Sequence, residues 1–213
     1  MLCVTLTLAN NLSAATAEQN VNQLVASLNL HPNAVGGEVT GFKAIGQRQV
    51  QGCLWSPDET VGFILSAARS AMWGVHLGLL SAGYGDESSP EMNSGLGSLL
   101  KQAAHAGDRT LRAPGGAMVE LARAGSFSGP KHAPEVGPIE STLQLLCALE
   151  RRRSDEGQKA GLMINAGQSQ TKAAELLGVS QQAVSSRLQA GYWYESRTAA
   201  YWLAQQIEKL TKT

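Results

Sequence analysis

The sequence has few cysteines and no long apolar run. Its three cysteines (Cys3, Cys53 and Cys147) lie far apart and form no CxxC pair, so neither a zinc site nor a disulfide framework is indicated. We expect buried, reduced thiols. No segment approaches the roughly 18 apolar residues that a membrane helix needs. Residues 2–9 lean apolar, but no Lys or Arg precedes them, which argues against a signal peptide. We therefore expect a cytoplasmic protein without membrane contact.

Charge of either sign is also scarce. Lys and Arg number 17, as do Asp and Glu, so the formal net charge is zero. Residues 1–138 hold 8 Lys/Arg against 10 Asp/Glu, and residues 139–213 hold 9 against 7. This small positive excess favours the C-terminal part for an anionic partner. The near balance argues against a binder that depends on bulk electrostatic attraction.

Signatures of catalysis are missing as well. The four histidines are isolated from one another, with no H-x-x-x-H spacing, and no G-x-S-x-G nucleophile motif occurs. Gly95 and Gly97 lack the third glycine and the acid of a dinucleotide fingerprint. We therefore predict no catalytic residue, no metal and no cofactor, in a protein that is not an enzyme.

The first 124 residues alternate between strand and helix patterns. Val4, Leu6 and Leu8 alternate with threonines, which predicts a half-buried strand. The patterns that follow predict a helix over 16–28 that ends at 31–33, and then a hairpin of strands 37–45 and 49–55. A helix over 57–71, a strand over 73–80 and a loop over 81–90 come next. The last predicted elements are a helix over 96–106, a short strand over 109–113 and a short helix over 117–124. This order is typical of a ferredoxin-like or palm-like α/β sandwich.

A change of composition follows this region. Residues 125–138 are rich in glycine and proline and predict a linker between a domain of residues 1–124 and a domain of residues 139–213. Beyond the linker every apolar pattern has helical spacing, with helices predicted over 139–153, 157–166 and 194–210 and two short ones between 169 and 190. The predicted fold class is α+β, with an all-helical C-terminal domain.

Residues 169–190 have the spacing of a helix-turn-helix unit. Ala174 is small enough for two helices to cross, and Gly178 suits a turn that needs a positive φ. Val179 fills the turn, and Ser180 is a good N-cap for the second helix. Val184 then faces back to the core. A helical hairpin with a polar outer face and no DNA-binding role is the alternative interpretation.

The outward face of the second helix, about residues 181–190, carries short or flexible hydrogen-bonding groups and no acid. Such groups suit a recognition helix in the major groove, where Gln pairs with adenine and Arg with guanine. The predicted reading residues are Gln181, Gln182, Ser185, Ser186, Arg187 and Gln189. Thr171 and Lys172 begin the first helix and are predicted to contact phosphate.

Two neighbouring groups of residues have two interpretations each. Arg151, Arg152 and Arg153 form a run that either contacts phosphates or is a solvated helix end. The aromatic residues 192–194 either pack on the DNA backbone or, as we expect at a helix junction, belong to the core.

The C-terminal half, from Gln170 to Gly191 with its ending Ser-Arg-Leu-Gln-Ala-Gly, resembles the SatD family of small bacterial proteins. The resemblance implies an N-terminal α/β region joined to a C-terminal helix-turn-helix. The order of the N-terminal elements also resembles the core of class III nucleotide cyclases and diguanylate cyclases, which hold metal with acids after the first strand and at the hairpin. Here those places have Asn10-Asn11 and Gly46 to Gln49, and neutral amides do not bind Mg²⁺ as paired carboxylates do.

The sequence therefore predicts a transcriptional regulator that binds double-stranded DNA, as a homodimer because one such unit has a small footprint. The N-terminal domain would dimerise or sense a small-molecule effector. The alternatives are a nucleotide-binding or cyclase-like enzyme with an accessory helical domain, and a protein–protein adaptor that binds no DNA.

Overall fold

The computed structural model describes residues 1–29, 41–54, 56–81, 90–122 and 134–212. The strands are β1 (Leu2–Leu8), β2 (Lys43–Ile45), β3 (Gln49–Leu54), β4 (Trp73–Leu80) and β5 (Ala117–Ala122). The helices are α1 (Ala14–Asn29), α2 (Pro57–Arg69), α3 (Pro90–Arg112), α4 (Val136–Arg152), α5 (Asp155–Asn165), α6 (Gln170–Leu177), α7 (Gln181–Ala190) and α8 (Trp193–Lys212), with a short 3-10 turn at Pro114–Gly116.

The five strands form one sheet in the order β2-β3-β1-β4-β5. The first four strands pair antiparallel, which is the ferredoxin-like arrangement, and β5 adds to the edge parallel to β4. The helical region α4–α8 follows the sheet in the chain. The predicted α+β class is confirmed, as is the hairpin turn at Gly46, which has φ 60°.

Two short elements were wrongly predicted. Residues 109–112, predicted as strand, are the last turn of α3, and residues 117–122 of the predicted helix 117–124 form strand β5. Residues 117–122 are good helix formers, but Ala117, Val119 and Leu121 are buried in alternation and pair in register with β4. Tertiary pairing therefore overrides local propensity at this edge of the sheet.

Strand β1 is buried on both faces, so the prediction of a half-buried strand is wrong. Thr5 is 1% exposed and Thr7 is 5% exposed because α3 covers the face of the sheet to which they point. Gln49 and Gln51 on β3 attach this helix by donating from Nε2 to backbone carbonyls of α3 at 3.0 and 2.8 Å.

The other face of the sheet carries the main hydrophobic core. Helices α1, α2, α4 and α8 all contribute to it, and Leu143 on α4 and Ile207 on α8 are fully buried there. Helices α5 to α7 instead surround a second cluster, described below. The described chain resumes at residue 134, and α4 starts inside the predicted linker, at Val136. The division into 1–124, 125–138 and 139–213 stays a prediction.

Several predicted segments fall outside the described residues: the helix end at 31–33, the start of the hairpin at 37–40, most of the loop at 81–90 and residues 125–133 of the linker. Among the helices that are described, none combines the length and the apolar character needed to cross a membrane.

Candidate nucleic-acid interface

Helices α5, α6 and α7 form a three-helix unit around a small core of its own. The buried members of this core are Ala160, Ala173, Ala174, Val184, Leu188 and Trp193. The small side chains Ala173 and Ala174 let α6 approach its neighbours closely, whereas Val184 and Leu188 hold the inner face of α7 at 0% and 1% exposure. The last two are four residues apart and therefore share one side of the helix.

The turn between α6 and α7 has the geometry that the sequence predicts. Gly178 ends α6 in the left-handed region, with φ 64° and ψ 34°. The N–H of Val179 donates to the carbonyl of Ala174 at 3.0 Å, which closes the helix end. Val179 itself is half-buried against the core of the unit. Two short helices joined by a tight turn at Gly178 are therefore present, as the sequence predicts.

Two serines determine where the helices begin. The Ser169 hydroxyl oxygen accepts from the backbone N–H of Lys172, and that of Ser180 accepts from the N–H of Ala183, each at 3.1 Å. Each satisfies a helix N–H that has no partner within its own helix. The predicted N-cap at Ser180 is thereby confirmed, and Ser169 is its counterpart on α6.

The predicted reading residues divide into two groups around α7. With 3.6 residues per turn, Gln181, Ser185, Gln189, Gln182 and Ser186 fall within an arc of about 140°. All are exposed except Ser185, which is half-buried. Arg187 lies about 100° beyond Ser186 on the same wheel and is half-buried. Its guanidinium group therefore belongs to the flank of the reading face.

A chain of side-chain hydrogen bonds joins the starts of α6, α7 and α8. Gln181 Nε2 donates to Gln170 Oε1 at 3.0 Å, and Gln170 Nε2 donates to Tyr194 Oη at 3.3 Å. Gln170 is not among the predicted reading residues, and Tyr194 is one of the aromatics expected in the core. Tyr194 is in fact 47% exposed, and of the three aromatics at this junction only Trp193 is buried. Separations of 11 and 24 residues leave no periodic signal for such a chain.

The charges on this unit are balanced. Residues 154–191 contain three basic residues and three acidic ones. Lys172, a predicted phosphate contact, forms an exposed ion pair with Glu175 at 2.9 Å, and the neighbouring Thr171 is exposed. Helix α7 contains no Asp or Glu, so its reading face remains free of negative charge.

The arginine run at the end of α4 is used mainly within the protein. Arg151 Nη2 donates to the carbonyl of Trp73 at 3.0 Å. The Arg153 side chain is 1% exposed and pairs with Glu150 at 2.6 Å. Both side chains are therefore committed to the fold, and Arg152 alone of the three is exposed to solvent. Of these three arginines, only Arg152 remains a candidate phosphate contact.

A buried ionic cluster connects the three-helix unit α5–α7 to the rest of the protein. Glu150 on α4 pairs with both Arg153 and Arg197, and each guanidinium carbon lies 4.7 Å from the centroid of the Trp193 ring. Arg153 also donates to the carbonyl of Gly191 at 3.1 Å, which fixes the end of α7. Burial lowers the pKa of Arg197, and the Glu150 carboxylate opposes this effect.

The end of β1 and the hairpin β2–β3 open onto a polar cleft of about 540 Å³. Asn10 donates there to Asp108 at 3.1 Å, and Arg48 donates to the carbonyl of Ala9 at 2.8 Å. Gln47 and Gln49 also line the cleft. In the described ranges no three His, Cys, Asp or Glu side chains lie close enough to share a metal ion. The cleft offers amides and one carboxylate where a cyclase would have paired acids.

No protein-family model, curated protein or solved structure matches this chain. The resemblance to the SatD family thus stays a prediction.

Proposed function

We propose that this protein is a transcriptional regulator that binds duplex DNA through α7. The observation that carries the proposal is the α6–Gly178–α7 turn, whose two helices place an exposed, acid-free amide and hydroxyl face on α7. An α-helix with such a face fits the major groove, where each base pair presents its own pattern of donors and acceptors.

The side chains have two roles in this proposal. Gln181, Gln182, Ser185, Ser186 and Gln189 read base edges. The flanking groups Arg187, Lys172, Thr171 and Arg152 contact the phosphate backbone and set the register of the helix on the duplex. Arg187 contacts phosphate rather than the guanine that the sequence predicted, because it lies outside the arc of the reading face.

Dimer formation follows from the small, electrically neutral binding unit. Because residues 154–191 carry no net charge, attraction to phosphate adds little, and one α7 covers only a few base pairs. Two copies that bind half-sites about 34 Å apart supply the missing contacts. We assign dimerisation or effector sensing to the N-terminal region and place the protein in the cytoplasm, a compartment that its three free thiols suit.

A fluorescence-polarisation titration against duplexes from upstream of the protein's own gene tests the proposal. We expect salt-dependent binding, and Arg187→Ala should weaken it about equally on all duplexes and lower the salt slope by about one. Gln181→Ala should weaken binding to the preferred duplex and leave binding to unrelated duplexes unchanged. Gln205→Ala on α8 is the matched control and should bind like the unmodified protein. Absent binding, or binding insensitive to salt and to both substitutions, would contradict the proposal.

The polar cleft beside Asn10 and Gln47 supports a second candidate function, binding of a nucleotide or another small effector. Its volume suits a small molecule, and its amides offer both donors and acceptors. Isothermal titration with ATP and GTP, with and without Mg²⁺, tests this candidate. Product formation under the same conditions would instead favour a cyclase-like enzyme.

A further inference from the structure

We infer that Gln170 and Tyr194 are positioning residues that hold the amide of Gln181 ready to read adenine and that link this base contact to a phosphate contact. The inference depends on the proposed DNA-binding function. It is carried by the hydrogen-bond chain from Gln181 Nε2 to Gln170 Oε1 (3.0 Å) and from Gln170 Nε2 to Tyr194 Oη (3.3 Å).

The Gln181 amide keeps hydrogen-bonding groups that Gln170 does not use. It has two N–H donors and one carbonyl oxygen, and one donor is used on Gln170. One N–H and the carbonyl oxygen remain for another partner. Adenine presents the matching pair in the major groove, N7 as acceptor and N6–H as donor, whereas guanine presents two acceptors. The held amide therefore favours adenine at the base that Gln181 contacts.

The contact with Gln170 holds the Gln181 amide in this orientation. Reversing the Gln181 amide alone would bring its carbonyl oxygen against Gln170 Oε1, so that two acceptors would face each other at about 3 Å. Gln170 is held in turn, because its Nε2 already donates to Tyr194. A single exposed glutamine would have to give up more rotamer freedom to make the same base contact.

The Tyr194 hydroxyl lies at the end of the hydrogen-bond chain. Its oxygen accepts from Gln170, which leaves its O–H as a donor on an exposed side chain. A phosphate oxygen only accepts hydrogen bonds, so a phosphate at this hydroxyl fixes the donor direction of the whole chain. The same three side chains thus couple contact with the DNA backbone to base reading.

Selection from a pool of random-sequence duplexes tests the inference. We expect the unmodified protein to enrich a motif with adenine at one position of each half-site. Gln170→Ala should lower the preference for adenine over guanine at that position by roughly tenfold, with the other positions unchanged. Gln170→Glu keeps the acceptor for Gln181 and should retain the preference, although its charge lowers affinity. Tyr194→Phe should weaken binding to all sequences and leave the salt slope unchanged, because the lost hydroxyl carries no charge.

Gln205→Ala is the matched control for the loss of an amide and should select the same motif as the unmodified protein. The far-ultraviolet circular dichroism of each variant establishes that it is folded, and Gln170→Glu and Tyr194→Phe remain informative if Gln170→Ala is not. Enrichment of a motif whose adenine preference survives Gln170→Ala unchanged would overturn this inference and leave the proposed function standing. Failure of the unmodified protein to enrich any motif would overturn both.

Discussion

Gly161 on α5 lies directly against the indole ring of Trp193 at the start of α8. A Cβ atom built on Gly161 would come 2.2 Å from ring carbons Cδ2 and Cε3, a distance that no relaxed structure accepts. Trp193 is 1% exposed, belongs to the small core of the α5–α7 unit and also contacts the guanidinium groups of Arg153 and Arg197. The absence of a side chain at position 161 thus sets how closely α5 packs against the start of α8.

Gly161→Ala should therefore destabilise the protein although alanine is the better helix former. Overpacking a rigid aromatic contact costs about 1–3 kcal/mol, which exceeds the gain of about 0.8–1 kcal/mol in helix propensity. Chemical denaturation followed by tryptophan fluorescence measures the change. Gly62→Ala on α2 is the matched control, since nothing lies within 4 Å of its added Cβ, and it should stabilise the protein. Equal effects of the two substitutions would contradict this packing.

Glu150→Gln should destabilise the protein strongly. Glu150 is 3% exposed and is the carboxylate shared by Arg153 and Arg197, so the substitution leaves two guanidinium groups without a counter-charge. Removing one partner from a buried ionic cluster costs about 3–5 kcal/mol, and the partial exposure of Arg197 places the expected loss towards the lower end. Equilibrium unfolding in urea measures it.

The matched control for Glu150→Gln is Glu208→Gln on α8. Glu208 pairs with Lys212 at 2.6 Å, but both side chains are exposed, and such pairs contribute about 0–1 kcal/mol. A loss at Glu150 no larger than that at Glu208 would show that the buried cluster does not hold the three-helix unit α5–α7 in place.

Local patterns in the sequence were sufficient for most of the fold. Alternation marked β4, an extended stretch after the turn at Gly46 marked β3, and helical spacing marked α1 and α4 to α8. Gly178 with Ser180 located the turn and the N-cap of α7. These features depend on neighbours within four residues, so a single sequence carries them.

Features that depend on distant partners could not be predicted in the same way. Strand β5 exists because β4 pairs with it, and Thr5 is buried because α3 covers it. The run Arg151 to Arg153 looked solvent-facing, since nothing in the sequence shows that Glu150 shares its buried carboxylate with Arg197, which lies 47 residues away. Around the site, the same limit explains why Gln170 and Tyr194 were missed.

Alkaline pH should destabilise the protein through Cys147 on α4. Burial raises the pKa of this thiol to about 12, with smaller opposing effects of Arg151, which lowers it, and Glu150, which raises it. In the unfolded chain a cysteine thiol ionises near pH 8.5, so above that pH the unfolded state has lost a proton that the folded state keeps. The free energy of unfolding should therefore fall as pH rises from about 9 to 12, by up to about 1.4 kcal/mol per pH unit.

Cys147→Ala isolates this effect from the ionisation of tyrosine and lysine, which occurs in both proteins. The variant should be less stable at pH 7, because removing a buried sulfur leaves a small cavity, yet its stability should fall less steeply between pH 9 and 11. The two curves of unfolding free energy against pH should therefore converge on the alkaline side. Parallel curves would mean that the thiol ionises equally in the folded and unfolded states, which its burial against Leu143 and Leu146 in the main core opposes.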